Sequence, residues 1–209
     1  MNSKVTHINV GNLAENCWFL ANEDTKEAVV IDPGAEPDRI CATAEKHGWK
    51  ITAILLTHGH IDHMGACESL RTELRVKVYA LTEEEDLLLD AKKNLSVFIE
   101  RKVVTFEPDE LLRDGQELTL AGMKIQVIHT PGHTKGSCCY YTEEDDVLFS
   151  GDTVFYGSVG RTDFPGGSTA DIVRSLHKLV DSLPEETEVF PGHDASTTIG
   201  YEKRYNPFV

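Results

Sequence analysis

One heptapeptide decides how this chain folds and what it can hold: Thr57-His58-Gly59-His60-Ile61-Asp62-His63. It places three imidazoles and one carboxylate within six residues. An apolar segment precedes it, Ile51-Thr52-Ala53-Ile54-Leu55-Leu56, and predicts a buried strand. The sequence from Met64 to Leu74 then predicts a helix. The cluster therefore lies where a strand ends and a helix begins, which is where open α/β sheets bind their ligands.

Spacing divides the side chains of this cluster into two groups. His58 and His60 are two residues apart, so they project to the same side of an extended backbone. Asp62 and His63 lie beyond the turn and face elsewhere. The segment can thus supply two neighbouring metal positions. A His-rich surface loop is the alternative, and the strand–helix context of the motif argues against it.

Length, net charge and hydropathy limit the classes of function that this chain can have. The 209 residues suit one domain with a large core, so we expect a single domain over 1–209. The net charge of −15, without a basic run, would repel a nucleic-acid backbone and argues against nuclease chemistry. No apolar run approaches the roughly 20 residues that span a bilayer. The N-terminus lacks the apolar core of a secretory signal. We therefore expect a cytoplasmic protein with neither a membrane nor a nucleic acid as partner.

The order of elements predicts the fold class. Strands cluster early, alternate with helices, cluster again and end with helices. An α/β fold with two stacked mixed sheets between outer helices, an αββα sandwich, satisfies this order. Four local predictions can be checked: a helix from Pro37 to His47 that Gly48 ends, a capping box from Thr82 to Glu85, a turn over 111–115, and an irregular loop over 156–168. The connection from 94 to 107 has no single period, and we expect it to cover the site.

Three further segments share one design, an apolar strand that ends in His or Asp beside glycine. They are Ile128-His129-Thr130-Pro131-Gly132-His133, Leu148-Phe149-Ser150-Gly151-Asp152-Thr153 and Val189-Phe190-Pro191-Gly192-His193. Together with the heptapeptide they offer five imidazoles and two carboxylates, namely His58, His60, His63, His133, His193, Asp62 and Asp152. A single catalytic zinc uses about three protein ligands. The set suits two metal ions that share one carboxylate and a bridging hydroxide.

The other four histidines stand outside this set. His7, His47 and His177 have no ligand-like neighbours, and we expect structural or surface positions for them. His129 precedes the turn to His133 and is a candidate for supporting a ligand from behind.

These motifs together resemble the metallo-β-lactamase superfamily. The resemblance rests on H-x-H-x-D-H at 58–63, His133 after Thr-Pro-Gly, Asp152 in Ser-Gly-Asp-Thr and His193 in Pro-Gly-His. It implies an αββα sandwich with a binuclear site at one edge. It also implies a ligand set: His58, His60 and His133 for metal 1, Asp62, His63 and His193 for metal 2, and Asp152 as the bridge. Asp32 matches a family position near the site that is not normally a direct ligand.

Within the superfamily the chain looks most like the short hydroxyacylglutathione hydrolase (glyoxalase II) branch. The loop over 160–168, Gly-Arg-Thr-Asp-Phe-Pro-Gly-Gly-Ser, and the ending Asn206-Pro207-Phe208 carry this likeness. The longer enzymes have a C-terminal helical domain that helps to hold glutathione, and we expect none here. They also place Lys and Tyr where this chain has Arg161 and Asp163. These departures leave the identity of the thiol carrier open.

The resemblance implies a metal-dependent hydrolase that cleaves the thioester of a hydroxyacyl-glutathione-like small molecule with a metal-bridging hydroxide. Asp62 is the expected catalytic residue, since it binds metal 2 and orients the hydroxide. Arg161 is the expected substrate-binding residue, because its planar fork suits a carboxylate. A structural salt bridge between Arg161 and Asp163 is the equal alternative.

Zinc is the expected metal for both positions, with iron and manganese as alternatives. Two other functions stay open at this stage. A mononuclear-iron persulfide dioxygenase would use His58, His133 and Asp152 as a two-His-one-carboxylate triad. A non-enzymatic metal-binding scaffold is the second, and the full set of donors argues against it.

Overall fold

Two six-stranded sheets form the centre of the molecule in the computed structural model, which describes residues 2–209. The first sheet has its strands in chain order: β1 (Ser3–Val10), β2 (Glu15–Asn22), β3 (Glu27–Ile31), β4 (Lys50–Leu55), β5 (Lys77–Leu81) and β6 (Glu110–Leu112). Strands β1 to β3 pair antiparallel, and β3 to β6 pair parallel. The sheet is therefore mixed, as expected.

The second sheet takes its strands from the rest of the chain. Its members are β7 (Glu117–Leu120), β8 (Met123–His129), β9 (Cys138–Thr142), β10 (Val147–Gly151), β13 (Glu188–Pro191) and β14 (Thr197–Thr198). All its pairs are antiparallel except β10 with β13. A separate two-stranded ribbon contains β11 (Val154–Phe155) and β12 (Ser158–Val159).

In the part of the chain that the structure describes, seven α-helices connect or cover these strands. They are α1 (Pro37–His47), α2 (Ile61–Met64), α3 (Cys67–Leu74), α4 (Glu85–Leu88), α5 (Ser96–Ile99), α6 (Thr169–Ser182) and α7 (Ile199–Tyr205). Within residues 2–209, none is long and apolar enough to cross a membrane.

The central strands β2, β9 and β10 bury both of their faces, and the apolar core has three layers. In β2, Phe19 packs in the outer core with α1 and α3, while Leu20 faces the second sheet. The adjacent cysteines of β9 separate in the same way: Cys138 lies between the sheets and Cys139 lies beneath α6. Successive strand residues point to opposite faces, so each sheet contacts a helix layer and the other sheet. The predicted αββα sandwich is confirmed.

The prediction for α1 is correct at both ends. Pro37 opens the helix, and Gly48 follows His47 with φ of +72°. The left-handed conformation lets the amide of Gly48 bond the last carbonyls of the helix, and glycine adopts it without a Cβ penalty.

Three local predictions were wrong. Thr82 does not cap a helix: residues 82–84 form a 3₁₀ turn, and the Thr82 hydroxyl donates to the Leu112 carbonyl over 2.8 Å. Part of the expected turn over 111–115 is strand β6, which β5 recruits by parallel pairing. The loop over 156–168 is not wholly irregular, because β12 pairs with β11 at its start. Partners distant in sequence determine the structure at Thr82 and at β6. The ribbon of β11 and β12 is too short to show a period in the sequence.

Candidate metal centre

Four loops converge at one edge of the sandwich, each at the carboxyl end of a strand. The loop after β4 carries His58 and His60, and the short helix α2 that follows it carries Asp62 and His63. His133, Asp152 and His193 follow β8, β10 and β13 respectively. The structure thus brings all seven predicted donors together. The first sheet supplies four of them and the second sheet supplies three.

One group of donors contains His58, His60 and His133, with one ligand atom of each within 4.8 Å of the others. Nδ1 of His60 lies 2.9 Å from Nε2 of His133. The His58 ring meets both rings edge-on, at centroid distances of 4.8 Å and 4.7 Å. All three side chains are buried.

A second group contains Asp62, His63 and His193, again within 4.8 Å. Oδ2 of Asp62 lies 3.4 Å from Nε2 of His193 and 3.8 Å from Nε2 of His63. Asp152 connects the two groups. Its Oδ2 lies 3.5 Å from Nε2 of His133, and its Oδ1 lies 3.5 Å from Nε2 of His63. One carboxylate therefore faces both groups with a different oxygen.

The polar atoms at the centre of this cluster fit metal ions. Nε2 of His58, His60 and His63 and Oδ1 of Asp152 are buried, and each has no hydrogen-bond partner in the described part of the chain. Leaving a buried polar atom unsatisfied costs about 1–3 kcal/mol. Burial holds the pKa of His58 and of His60 well below the usual range. Both imidazoles are therefore neutral at pH 7, which is the form that binds a metal.

The second group is rich in negative charge. Burial alone would lower the pKa of His63, but Asp152, Asp62 and Asp32 outweigh it and raise this pKa to about 10. For Asp62, burial would raise the pKa, yet His63 and His193 hold it below its usual range. The carboxylates thus favour a positive charge at this position, whether a proton or a cation.

Asp32 orients one ligand from behind. Its Oδ2 lies 3.0 Å from Nδ1 of His63, and its Oδ1 accepts a hydrogen bond from the Thr57 amide over 2.7 Å. A third donor group of Asp32, His58 and His63 also lies within 4.8 Å. Because both oxygens of Asp32 already accept hydrogen bonds, we assign it to orientation rather than to ligation. Its backbone adopts φ of +52°, uncommon for a residue with a Cβ.

His133 is oriented by a backbone carbonyl. Its Nδ1 donates to the Arg161 carbonyl over 2.7 Å, which leaves Nε2 directed at the cluster. His129, by contrast, bonds the Lys135 carbonyl through Nε2 over 2.9 Å. This bond joins the start of the loop that carries His133 to a later residue of the same loop, which is a structural contact, and the role behind a ligand stays a prediction.

His193 reaches the cluster through the glycine before it. A Cβ on Gly192 would lie 2.5 Å from Oδ1 of Asp152 and from Cε1 of His63, so only glycine fits there. The first sheet holds this segment in place. The Trp18 indole donates to the Pro191 carbonyl over 2.8 Å, and the backbone amide of Asn16 donates to the Gly192 carbonyl over 2.7 Å.

Sequence reasoning missed Glu84. Its buried carboxylate accepts hydrogen bonds from the amides of Gly59 and Gly136, both over 2.8 Å, and from the Thr134 hydroxyl over 2.9 Å. It thereby connects the heptapeptide to the loop of His133. Its neighbours Glu83 and Glu85 look the same in the sequence, so no local signal singles it out.

Glu15 was missed as well. It is fully buried on β2, and its Oε1 lies 3.9 Å from Nδ1 of His63. Burial, followed by the charges of Asp32, Asp62 and Asp152, raises its pKa well above the usual range. A glutamate at the start of an apolar strand gives no sign of this position.

The remaining histidines lie elsewhere. His7 contacts Trp18 and His47 stacks on Trp49, each at a centroid distance of 4.4 Å. His177 is exposed on α6.

A cleft of about 460 Å³ opens over the cluster. Its apolar lining comes from Leu13, Leu95, Ile99, Phe155 and Phe164. Leu95 and Ile99 belong to the connection over 94–107, which covers the site as expected.

Arg161 lies on the wall of the cleft as well. It pairs with Asp163 through two hydrogen bonds of 2.7 Å, and its guanidinium carbon lies 3.9 Å from the centroid of the Phe164 ring. The salt bridge between Arg161 and Asp163 is thus formed.

Comparisons with known proteins agree with this geometry. The sequence model of the metallo-beta-lactamase superfamily matches residues 10–193. The hydroxyacylglutathione hydrolase GloC of Haemophilus influenzae is 35% identical over 197 residues, 93% of this chain and 92% of GloC. The crystal structure of BLEG-1 B3 metallo-beta-lactamase superposes with a TM-score of 0.92 at 39% identity, covering 98% of this chain and 99% of that one. TTHA1623, crystallised in a di-iron-bound form, superposes with a TM-score of 0.86 at 36% identity, covering 98% and 100%. The fold, the converging His and Asp side chains and these matches together establish that the chain belongs to the metallo-β-lactamase superfamily.

Proposed function

We propose that this chain is a binuclear metallohydrolase that cleaves the thioester of a hydroxyacyl-glutathione-like substrate. The observation that carries the proposal is the carboxylate of Asp152, which places one oxygen 3.5 Å from a nitrogen of each donor group. One shared carboxylate between two sets of donors is the arrangement expected for two metal ions. The similarity to GloC of Haemophilus influenzae supports the thioester as substrate.

The donor groups define which residues would hold each ion. His58, His60 and His133 would hold the first, Asp62, His63 and His193 the second, and Asp152 both. Divalent ions in these positions supply the Lewis acidity that activates water and polarises a carbonyl. Zinc is the metal we propose, with iron and manganese as alternatives. The di-iron form of TTHA1623 supports iron as the first of these.

Asp62 is the proposed catalytic residue. It lines the cleft, and its lowered pKa keeps it ionised at pH 7. Oδ2 of Asp62, 3.4 Å from Nε2 of His193, is held in place to accept a hydrogen bond from the attacking water. The departing thiolate needs no dedicated general acid, because a free thiol has a pKa of about 8.5.

Arg161 is the proposed substrate-binding residue. Its guanidinium stacks on Phe164 at the wall of the cleft and presents a flat surface beside the donors. Substrate binding and chemistry would then both belong to the domain that carries the donors.

The experiment offers two substrates to protein loaded with zinc or with iron. A hydroxyacyl thioester is supplied without oxygen, and glutathione persulfide is supplied with oxygen. Thioester cleavage without oxygen supports the proposal. Iron-dependent oxygen consumption with the persulfide, together with no thioester cleavage, would establish the mononuclear-iron dioxygenase instead. No turnover of either substrate in protein that binds metal would favour the scaffold.

A second candidate function is β-lactam hydrolysis, which the 39% identity to BLEG-1 B3 metallo-beta-lactamase favours. A chromogenic cephalosporin tests it on the same metal-loaded protein. If kcat/KM for the cephalosporin exceeds that for the thioester, the substrate assignment is wrong and the metal assignment stands.

A further inference from the structure

Apolar side chains surround the donors of the cleft on several sides. Phe164 meets the His60 ring edge-on at 5.7 Å, and Phe155 meets the His193 ring edge-on at 6.3 Å. These two phenylalanines therefore flank the cluster, one beside each donor group. They leave an apolar surface next to the place where a scissile bond would lie.

Part of the remaining apolar lining reaches solvent, whereas Leu95 is buried. Leu13 is 49% exposed and Ile99 is 37% exposed, and with Leu95 they line the same cleft. Large apolar side chains that gather at a concave site mark a surface that a ligand covers. The adjoining donors and the volume of about 460 Å³ indicate a small molecule as that ligand.

Charge points the same way. Among the described residues that line the cleft, Arg161 is the only arginine or lysine, and Asp163 already holds its guanidinium in a two-point salt bridge. Asp62 and Asp152 also line the cleft, and in the proposed binuclear site two divalent ions would offset their negative charge. The walls of the cleft therefore offer contact area to apolar groups, and their one guanidinium is already paired.

We infer that the cleft selects thioesters whose acyl group is large and apolar, such as an aromatic or branched 2-hydroxy acid, over those of small acids such as lactate. The inference rests on the proposed thioester hydrolysis and specifies the substrate class. A phenyl or isobutyl group would contact this apolar lining while the carbonyl lies at the donors. Each further methylene in such a pocket is worth about tenfold or more in kcat/KM, so the preference is measurable.

The test compares thioesters of one neutral thiol, N-acetylcysteamine, on zinc-loaded protein. One carries 2-hydroxy-2-phenylacetate and the other carries lactate. We expect kcat/KM to be at least about tenfold higher for the phenyl compound. Replacing Ile99→Ser should reduce that ratio severalfold. Its matched control is Leu111→Ser on β6, which is 39% exposed and outside the cleft, and this variant should leave the ratio unchanged.

Two outcomes overturn the inference: equal cleavage of both thioesters, or a ratio that Ile99→Ser leaves unchanged. The corresponding thioethers, which cannot be cleaved, separate this result from a failure of the proposed function. If neither thioester is cleaved, the hydrolase proposal fails. Calorimetry with the two thioethers then still decides the inference: tighter binding of the phenyl compound supports it and equal binding overturns it.

Discussion

Oδ2 of Asp32 lies 3.0 Å from Nδ1 of His63, while Oδ1 of the same carboxylate accepts the Thr57 amide over 2.7 Å. One side chain thus fixes both the entry to the heptapeptide and the ring of a proposed ligand. With Nδ1 occupied, Nε2 of His63 is left facing Asp62 and Asp152. The fit of the second donor group therefore depends on a residue that binds no metal itself.

Replacing Asp32→Asn should weaken metal binding at the second position by about 10–100-fold, the usual cost of losing a partner behind a histidine ligand. The amide places a donor where the carboxylate accepted two hydrogen bonds, so the His63 ring loses its fixed orientation. Metal titration by calorimetry measures the loss. Asp38→Asn, on the exposed side of α1, is the control and should bind metal normally. Unchanged affinity in Asp32→Asn would show that His63 needs no such partner.

Fully loaded protein should contain two metal ions per chain, because six of the seven donors form two groups of three around Asp152. Elemental analysis after incubation with excess zinc, iron or manganese measures this stoichiometry. His193→Ala should lower it to one, since it removes one of the three donors of the second group. The exposed His177→Ala should leave it at two. A plateau at one ion that His193→Ala does not change is incompatible with a binuclear site.

Asp62→Asn should reduce kcat by about 10²–10⁴-fold while KM changes much less. In the proposed reaction the carboxylate acts on the attacking water, an interaction that matters most in the transition state. Steady-state kinetics on protein with a measured metal content separates this effect from metal loss. A variant that binds two metal ions and keeps a near-normal kcat would remove Asp62 from the chemistry.

Asp163 should weaken the attraction of Arg161 for anionic substrates, and so raise their KM. The salt bridge between them occupies the guanidinium, so Asp163→Asn frees a cation on the cleft wall. We expect this variant to lower KM for anionic thioesters by about two- to fivefold, in the range of an exposed ion pair. KM for neutral thioesters should stay constant. Arg161→Ala should raise KM for both kinds of thioester, because it removes the flat surface over Phe164.

The control for this pair is Asp114→Asn, which breaks the salt bridge of Asp114 with Lys178 outside the cleft. It should change neither KM. If Arg161→Ala reduces kcat and leaves every KM unchanged, Arg161 has a structural role through the carbonyl that orients His133, and not a role in binding.

Glu84 should make the stability of the metal-free protein depend on pH. Burial raises its pKa to about 7, against three hydrogen bonds that lower it, from an ordinary value of 4.5. Between pH 4.5 and 7 the folded protein keeps a proton that the unfolded chain releases. The contribution of this group to the free energy of unfolding therefore falls as pH rises through that window, by up to about 1.4 kcal/mol per unit.

Glu84→Gln should remove this contribution, which urea unfolding at pH 5 and pH 7 measures. It should also destabilise the protein by about 1–3 kcal/mol at pH 7, because the amide meets a backbone donor. Glu83→Gln, at the exposed neighbouring position, should keep the wild-type dependence. The same pH slope in wild type and Glu84→Gln would assign the effect to another group.

The sequence was most informative where a signal is local. Strand ends followed by glycine and a donor, such as Gly192-His193, predicted where all seven donors would meet. Contacts between segments that are distant in the sequence gave no such local signal. The hydroxyl of Thr82 suits a helix cap, yet it bonds Leu112, 30 residues further along. Glu84 contacts Gly136, 52 residues away, and nothing distinguishes it from Glu83. The sequence therefore predicted the positions of the candidate donors, but not the residues that orient or hold them.

The two sheets come from consecutive halves of the chain, and the connection over 113–116 separates them. A cut in that connection would yield two fragments, each with an incomplete donor set. The first donor group needs His133 from the second fragment, and the second group needs His193. Metal affinity and fragment affinity then become linked quantities. If saturating metal raises the affinity of the two fragments for each other tenfold, it stabilises their complex by about 1.4 kcal/mol. A split form of this protein would therefore assemble in response to metal.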